Sequence, residues 1–255
     1  MTIHHSNAPD PRWALPFFEG RHVLVTGGTS GIGAGIAAGF AEAGAHVVAT
    51  GATPKEVEAA EAGNESGVDF RLLDVRDRQT VETVVSSFDT LDAIVNCAGI
   101  IRRGEELDPD VFAMVVDINL TGSMRVCAAA RPLLAKSTHG AIVNIASVLS
   151  FQGGGMVPGY AASKGGIAQM TKSLAIAYAD DGIRVNAVAP GWIATPLTAA
   201  LQADPERSGP ILARTAMKRW GQPEDIVGGV LFLASPAAAF ITGAILPIDG
   251  GYLVT

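Results

Sequence analysis

The chain is poor in cysteine, and the little it has follows no spacing of a cross-link or a metal site. Cys97 and Cys127 are its two cysteines, and no Cys-x-x-Cys or cysteine–histidine spacing accompanies them. A disulfide framework and a structural zinc site are therefore not expected. The histidines are scattered, and the pair His4 and His5 has no further ligand close by in the sequence. The sequence predicts no metal site.

Charged residues are also scarce, and the basic ones form no cluster. Charged residues make up 17% of the chain, hydrophobic residues make up 48%, and the net charge is −7. Such a composition excludes wholesale disorder. Because a nucleic-acid binder needs a clustered basic face, this acidic chain is not expected to bind nucleic acid.

Long apolar runs are missing as well. No uninterrupted run approaches the roughly 18 residues that span a bilayer, so the sequence predicts no membrane span. The first ten residues are polar and lack the basic and apolar regions of a secretory signal. We therefore expect a cytoplasmic protein.

What the chain does contain is a regular alternation of short apolar runs and longer amphipathic segments. Strands that alternate with helices predict βαβ units and a parallel sheet, and continuous apolar strands are typical of sheets covered on both faces. The prediction is one α/β domain, doubly wound about a parallel sheet of about seven strands. The predicted strands are 22–26, 46–50, 69–73, 93–96, 141–146, 183–188 and 244–248, and the predicted helices are 32–43, 54–62, 77–88, 108–135, 158–179 and 224–234.

The domain is expected to span residues 20–255, after an irregular leader over residues 1–19. Residues 192–218 interrupt the alternation and contain three prolines, Pro196, Pro205 and Pro210. Long irregular insertions are usually lids or binding loops, so this segment is predicted to form a substrate loop. A surface insertion without function is the alternative.

The first predicted strand leads directly into a glycine-rich turn, residues 26–33 (TGGTSGIG). Glycines let the backbone approach a pyrophosphate closely, and the helix that follows offers free N–H groups. Glycine also serves as an ordinary turn residue. Its place between the first strand and a helix nevertheless predicts a dinucleotide site.

The end of the second strand does not decide which coenzyme is used. In such folds an acidic residue there binds the ribose 2′-hydroxyl of NAD, and an arginine accepts the 2′-phosphate of NADP. Residues 49–53 (ATGAT) carry neither, and the nearest cation is Lys55. Because a 2′-phosphate without an arginine lacks a charge-assisted contact, we expect NAD and leave NADP open.

Tyr160 and Lys164 are the clearest candidates for catalysis. Residues four apart return to the same face of a helix. The ordinary tyrosine pKa of about 10 is too high for a base at neutral pH, and a nearby cation lowers that pKa. Ser147 follows a predicted strand at the carboxyl edge of the sheet, where ligands bind. A surface tyrosine and lysine on an amphipathic helix are the alternative reading of this spacing.

Together these motifs resemble the short-chain dehydrogenase/reductase family over nearly all of residues 20–255. The resemblance implies a Rossmann-like fold, a catalytic set of Asn119, Ser147, Tyr160 and Lys164, and a homotetramer. It also implies coenzyme contacts from the glycine turn and from the segments after the third, fourth and sixth strands. These residues are Gly27, Thr29, Ser30, Gly31, Ile32, Gly33, Asp74, Val75, Asn96, Ala98, Gly99, Tyr160, Lys164, Pro190, Gly191, Ile193 and Thr195.

Two segments are similar to a narrower group in this family, the dehydrogenases of sugar acids such as gluconate 5-dehydrogenase and 2-deoxy-gluconate 3-dehydrogenase. They are residues 98–103 (AGIIRR) and 144–154 (NIASVLSFQGG). A guanidinium offers a carboxylate paired donors, so Arg103 is expected to bind the substrate carboxylate. Gln152 is expected to bind a sugar hydroxyl, beside Ser147 and Tyr160. Surface pairing of the arginines with neighbouring acidic residues is the alternative.

The expected function is therefore an NAD(P)-dependent oxidoreductase that moves a hydride between nicotinamide and a secondary alcohol or ketone of a sugar acid. The resemblance implies that Tyr160 transfers the proton and that Ser147 stabilises the developing oxyanion. It also implies that Lys164 lowers the tyrosine pKa and binds the ribose, and that Asn119 anchors the water that carries the proton out. A general polyol or ketone reductase and a nucleotide-binding regulator without turnover are the alternatives. Enoyl reduction, another chemistry of the family, is expected to use a wider Tyr–Lys spacing.

Overall fold

The computed structural model describes residues 9–255, so residues 1–8 of the predicted leader, with His4 and His5, lie outside the described residues. Its strands form one seven-stranded sheet in the order β3-β2-β1-β4-β5-β6-β7, and every neighbouring pair is parallel. The predicted doubly wound α/β fold is confirmed. The strands are β1 His22–Thr26, β2 His46–Gly51, β3 Asp69–Leu72, β4 Ala93–Asn96, β5 Ala141–Ile145, β6 Arg184–Pro190 and β7 Ile245–Ile248.

The helices begin and end within a few residues of the predicted bounds where a helix was predicted. They are α1 Leu15–Phe18, α2 Gly31–Glu42, α3 Pro54–Ala62, α4 Arg78–Ser86, α5 Pro109–Val116, α6 Gly122–Leu134, α7 Pro158–Ala177, α8 Ala199–Gln202, α9 Pro205–Arg214 and α10 Pro223–Ala234. Short 3₁₀ turns lie between them at Pro11–Ala14, Glu105–Leu107, Val148–Ser150, Ala179–Asp181, Pro196–Thr198, Pro236–Ala238 and Tyr252–Val254.

Both faces of the central strands are buried, which explains their continuous apolar sequences. In β1, Val23 and Val25 belong to a core that also contains residues of α2 and α10. Leu24, between them, belongs to a second core with residues of α4, α6 and α7. Successive side chains of a strand point to opposite faces, so one apolar run supplies both cores.

The strand order changes direction between β1 and β4. The chain runs from β1 outward to β3 and then returns to place β4 on the other side of β1. The crevice at such a switch point, outside the carboxyl ends of the strands, is where ligands bind in open α/β sheets. The glycine turn after β1 and the segment after β4 meet there.

The long helix predicted over residues 108–135 is present, but it is interrupted by one turn of π-helix at Asp117–Thr121 between α5 and α6. By length and composition, Pro109–Leu134 is apolar enough to cross a membrane, and a third of that window is buried. Polar and charged residues interrupt its sequence, so it contains no long uninterrupted apolar run. In this fold the helix packs against α4 and α7.

Two segments predicted to be irregular are helical. The described part of the leader contains the 3₁₀ turn Pro11–Ala14 and α1, and the predicted substrate loop contains α8 and α9. Pro11 and Pro205 begin the 3₁₀ turn and α9, directly after Asp10 and Asp204 as side-chain caps, whereas Pro210 lies inside α9. Proline suits a first turn because the N–H it lacks has no partner inside the helix.

Candidate active site

The glycine turn builds a cradle for an anion at the start of α2. Gly27 and Gly31 have positive φ angles of 64° and 54°, which L side chains rarely adopt. A Cβ on Gly33 would lie 2.1 Å from the Gly27 carbonyl oxygen, so no side chain fits there. Ser30, the N-cap of α2, makes no capping bond with its side chain. The first-turn N–H groups are left to a ligand, as a pyrophosphate requires.

This cradle opens into a cleft of about 420 Å³ along the switch point. The lining comes from the glycine turn, the ends of β3 and β4, helix α7 and the segment after β6. Among the predicted coenzyme residues, those that line it are Gly27, Thr29, Ser30, Gly31, Ile32, Gly33, Asp74, Val75, Ala98, Gly99, Tyr160, Lys164 and Thr195. The elongated set of glycines, main-chain donors and one lysine fits a dinucleotide.

The other four predicted coenzyme residues, Asn96, Pro190, Gly191 and Ile193, do not line this cleft. Asn96 is buried, and its Nδ2 donates to Asn144 Oδ1 at 2.8 Å, inside the sheet. Gly191 faces Asp249 so closely that a Cβ would lie 2.7 Å from the Asp249 Cα. Ile193 lines a separate cavity of about 180 Å³. A sequence motif predicts which segment lies at the cleft, but the side chains of a strand point alternately to its two faces, so some residues of the motif point away from the cleft.

Asp74, which was expected only to contact the coenzyme, is also bonded to a neighbouring arginine. Both of its carboxylate oxygens accept hydrogen bonds from the Arg76 guanidinium, and Arg76 also lines the cleft. The Arg76 guanidinium holds the pKa of Asp74 below its ordinary value. Asp74 therefore remains an acceptor whose negative charge is partly balanced by its neighbour.

The catalytic candidates lie near one another at the carboxyl edge of the sheet. Ser147 follows β5 and its Oγ accepts a hydrogen bond from the Leu149 amide at 3.1 Å. Its hydroxyl is also hydrogen-bonded to the Tyr160 phenol. Lys164 lies one turn further along α7, with Nζ 5.6 Å from the Tyr160 ring centre. Nζ donates to the Ile145 carbonyl at 2.6 Å, which anchors the ammonium to the end of β5.

Asn119 lies in the π turn and clamps the segment after β4. Its Oδ1 accepts from the Ile100 amide at 2.8 Å, and its Nδ2 donates to the Ile100 carbonyl at 2.9 Å. Nδ2 also lies 3.1 Å from Ser163 Oγ on α7. Single π turns in helices are often found at functional sites. Here the π turn lets one side chain join the β4 loop to the catalytic helix.

The pKa values of the tyrosine and lysine correct one expectation. Burial raises the pKa of Tyr160 to about 12, against a lowering by the Ser147 hydrogen bond. Burial lowers the pKa of Lys164 to about 8. The expected lowering of the tyrosine pKa by Lys164 is not found, because desolvation of the phenol outweighs it. In this structure the phenol is a proton donor.

The two predicted substrate residues differ in how they are held. Arg103 is exposed and lies in the turn after β4. Gln152 accepts a hydrogen bond from Arg214 Nη2 at 3.1 Å, and the Arg214 guanidinium stacks 4.3 Å above the Tyr252 ring. Arg214 ends α9, in the predicted substrate loop. Sequence reasoning missed it because only the tertiary structure brings α9 to Gln152.

Two acidic residues were also missed. Glu56 lines the cleft beside the end of β2, and its Oε2 accepts from the Ala52 amide at 2.7 Å. Its signal was the capping-box spacing Thr53-x-x-Glu56, which indicates a helix start and not a binding residue. Glu106 is buried and bonded to the amide of Tyr160, and no sequence signal pointed to that contact.

The comparisons with known proteins agree with this geometry. The family model described as Enoyl-(Acyl carrier protein) reductase matches residues 27–253, which is nearly the whole domain. The chain belongs to the short-chain dehydrogenase/reductase family. The family places the glycine cradle, the serine and the Tyr160–Lys164 pair in one NAD(P)-dependent oxidoreductase, so the chain is an enzyme of that class. Three residues separate Tyr160 from Lys164, the spacing the resemblance associates with dehydrogenases.

Individual members of the family show the same likeness. The chain is 42% identical over 246 residues to the 2-dehydro-3-deoxy-D-gluconate 5-dehydrogenase of Pseudoalteromonas atlantica, covering 92% of this chain and 96% of that protein. It is 39% identical to the cis-4-hydroxycyclohexanecarboxylate dehydrogenase of Sinomonas cyclohexanicum over 246 residues, 92% of this chain and 97% of that protein. The gluconate 5-dehydrogenase of Burkholderia cenocepacia in complex with NADP and tartrate superposes with a TM-score of 0.87 at 33% identity, covering 96% of this chain and 98% of that one.

Proposed function

We propose that this dehydrogenase interconverts a secondary alcohol and a ketone on a sugar acid. The observation that carries the proposal is the Ser147–Tyr160 hydroxyl pair beside the Lys164 ammonium, at the end of a cleft that fits a dinucleotide. Relatives named for gluconate derivatives, and one named for a hydroxy-carboxylate of another skeleton, support a substrate that carries a hydroxyl and a carboxylate.

In this mechanism the nicotinamide, when bound, accepts or gives the hydride at the carbinol carbon. Ser147 donates a hydrogen bond to the substrate oxygen, and Tyr160 exchanges the proton at that oxygen. Because the phenol is protonated, Tyr160 is ready to act as the acid in ketone reduction. Oxidation of the alcohol needs the phenolate, so its rate should rise with pH as the phenol loses its proton.

The remaining residues hold the reactants. In a bound coenzyme, the N–H groups at the start of α2 would hold the pyrophosphate, Asp74 and Val75 the adenine, and Lys164 the nicotinamide ribose. Asn119 anchors the water that carries the proton away, as the family resemblance implies. Its side chain is occupied by Ile100 and Ser163, so it holds the floor of the site in place.

We also propose that NAD is the preferred coenzyme. The cleft beside β2 is lined by the carboxylate of Glu56, whereas Lys55, the nearest cation in sequence, does not line it. A carboxylate accepts a hydrogen bond from a ribose hydroxyl and repels a 2′-phosphate. Glu56 supplies here the acidic group that residues 49–53 lack.

Arg103 is proposed to bind the substrate carboxylate, with Gln152 on a hydroxyl. Arg103 is exposed at the sheet edge that carries the catalytic pair. The alternative of pairing with Glu106 has no support, because both Glu106 oxygens accept from main-chain amides. An exposed guanidinium can form two hydrogen bonds with a carboxylate.

The test is a coenzyme and substrate screen followed by one substitution. The purified protein is mixed with NAD or NADP and a panel of sugar acids and matching sugar alcohols, and absorbance of reduced nicotinamide is followed. Arg103→Ala should raise KM for the acid far more than for the alcohol, while Arg102→Ala, in the same turn, should not. Equal effects on acid and alcohol would indicate a general polyol or ketone reductase, and coenzyme binding without turnover would indicate a regulator.

We propose a homotetramer in the cytoplasm, with the C-terminal segment at a subunit contact. Phe240 and Val254 are almost fully exposed in the single chain, and large exposed apolar side chains favour burial by a partner. Light scattering of the purified protein measures the number of subunits.

A further inference from the structure

Glu106 is a buried carboxylate that the mechanism above does not use. It lies in the 3₁₀ turn between β4 and α5 and is 1% exposed. Its Oε1 accepts from the Arg102 amide at 2.7 Å, and its Oε2 accepts from the Tyr160 amide at 2.7 Å. Among the ion pairs of residues 9–255, none includes Glu106. Two main-chain donors therefore hold a buried charge.

The contact with Tyr160 supplies the helix cap that α7 lacks. Val157, the N-cap of α7, makes no side-chain capping bond. The first-turn amides of a helix have no partner inside it, and a negative charge is favourable at that end. Glu106, from a separate part of the chain, provides both an acceptor for a first-turn amide and a negative charge at this end of the helix. Gly159 leaves it room, since a Cβ there would lie 3.3 Å from Oε2.

The contact with Arg102 fixes the turn that presents Arg103. The same turn is tied to the loop before α7, because the Gly104 amide donates to the Met156 carbonyl at 2.7 Å. One carboxylate thus joins the turn that carries the proposed carboxylate-binding arginine to the first turn of the helix that carries the phenol.

We propose that Glu106 is a positioning residue that sets the Tyr160 phenol and the Arg103 turn at a fixed separation, so that a substrate held by its carboxylate presents its hydroxyl to the phenol. The role of the Arg103 turn rests on the proposed function above, whereas the hold on Tyr160 requires only that the enzyme oxidises some alcohol.

The charge of Glu106 gives this role an electrostatic signature. The titratable and charged groups around the phenol are Cys97 and Glu106, which act on it electrostatically, and Lys164, whose Nζ lies 5.6 Å from the ring centre; the Ser147 hydroxyl is its hydrogen-bonding neighbour. After burial, the charges of Cys97 and Glu106 are the influences that raise the pKa of Tyr160. Removing the Glu106 charge should therefore lower that pKa, and the rise of the oxidation rate with pH should move to lower pH.

The experiment compares Glu106→Gln with Glu105→Gln, its exposed neighbour. Glutamine keeps the size of glutamate but has one acceptor oxygen, so it cannot accept from both amides. Expected for Glu106→Gln is a kcat for alcohol oxidation lower by roughly 10- to 100-fold, a pH profile displaced toward lower pH, and NAD affinity close to that of the parent. Glu105→Gln should match the parent in all three.

Two further readouts separate the possible failures. The kinetics use whichever secondary alcohol the parent oxidises, so absence of sugar-acid activity would overturn the proposed function and leave the Glu106 comparison intact. The Tyr160 amide proton, followed in protein with ¹⁵N-labelled tyrosine, should shift upfield in Glu106→Gln. A Glu106→Gln variant with the kcat and pH profile of the parent would overturn the proposal. A lower kcat that came with a lower melting temperature and an undisplaced pH profile would overturn it as well, because loss of stability would then explain the loss of activity.

Discussion

Replacing Tyr160 by phenylalanine removes one hydroxyl and little else from the site. The half-buried aromatic ring on α7, with its centre 5.6 Å from the Lys164 ammonium, stays in place. The main loss to the fold is the hydrogen bond with Ser147. A single hydrogen bond contributes about 1 kcal/mol, which corresponds to a melting temperature lower by roughly 2–4 °C in a protein of this size.

The loss to catalysis should be much larger. Proton transfer by a positioned side chain contributes roughly 10²–10⁴ in rate, which is about 2.7–5.5 kcal/mol of activation free energy. We therefore expect Tyr160→Phe to lose that factor in kcat while NAD affinity changes little. The double variant with Ser147→Ala should lose little more than the single variants, because both hydroxyls act on the same substrate oxygen.

The assay follows reduced nicotinamide by absorbance and coenzyme binding by calorimetry. Tyr178→Phe is the matched control, because Tyr178 is buried at the far end of α7, where its ring contacts Arg131. This control should keep parental kcat. If Tyr160→Phe kept activity within a few-fold of the parent, the assignment of proton transfer to Tyr160 would be refuted.

Further outcomes follow from the coenzyme pocket and from the buried lysine. Glu56→Gln should raise the ratio of kcat/KM with NADP to kcat/KM with NAD by roughly three- to tenfold. The control Glu58→Gln, on the same helix, should leave this ratio unchanged. An unchanged ratio in Glu56→Gln would show that Glu56 does not determine the coenzyme preference. Burial lowers the pKa of Lys164 from 10.5 to about 8. Between these pH values Lys164 is protonated in the unfolded chain and deprotonated in the folded protein. This group therefore makes the free energy of unfolding rise with pH, by up to about 1.4 kcal/mol per pH unit. Burial raises the pKa values of Cys97 and Cys127, so these two thiols make stability fall with pH over the same range, equally in parent and variant. Between about pH 8 and about pH 10, the change in the free energy of urea unfolding should therefore be more positive in the parent than in Lys164→Met, and identical pH dependence in both would contradict it.

The sheet and the catalytic pair could be read from the sequence because their signals are local. A buried parallel strand is a short apolar run, and the pair Tyr160 and Lys164 is one helical turn of spacing. Ser147 was placed correctly because a residue that follows a strand must lie at the carboxyl edge of a parallel sheet. Each of these inferences needs only a few consecutive residues and the periodicity of one element.

The rest depended on contacts between distant parts of the chain. The π turn at Asn119 inserts one extra residue into a helix that its periodicity predicts as continuous. Asn96 lies in a coenzyme motif, but the alternation of β4 turns its side chain into the sheet. Arg214 reaches Gln152, and Glu106 reaches the Tyr160 amide, across 62 and 54 residues of sequence.

Residue types and spacing along the chain determined the family and the fold, and they singled out Tyr160 and Lys164 as the proposed acid–base pair. The tertiary structure alone decided the protonation of that pair and the partners that hold it. The physical reason is desolvation: a pKa depends on how much water the folded chain removes around the group, and for Tyr160 that burial outweighs the nearby lysine. Burial is set by packing among all the elements, which no local spacing records.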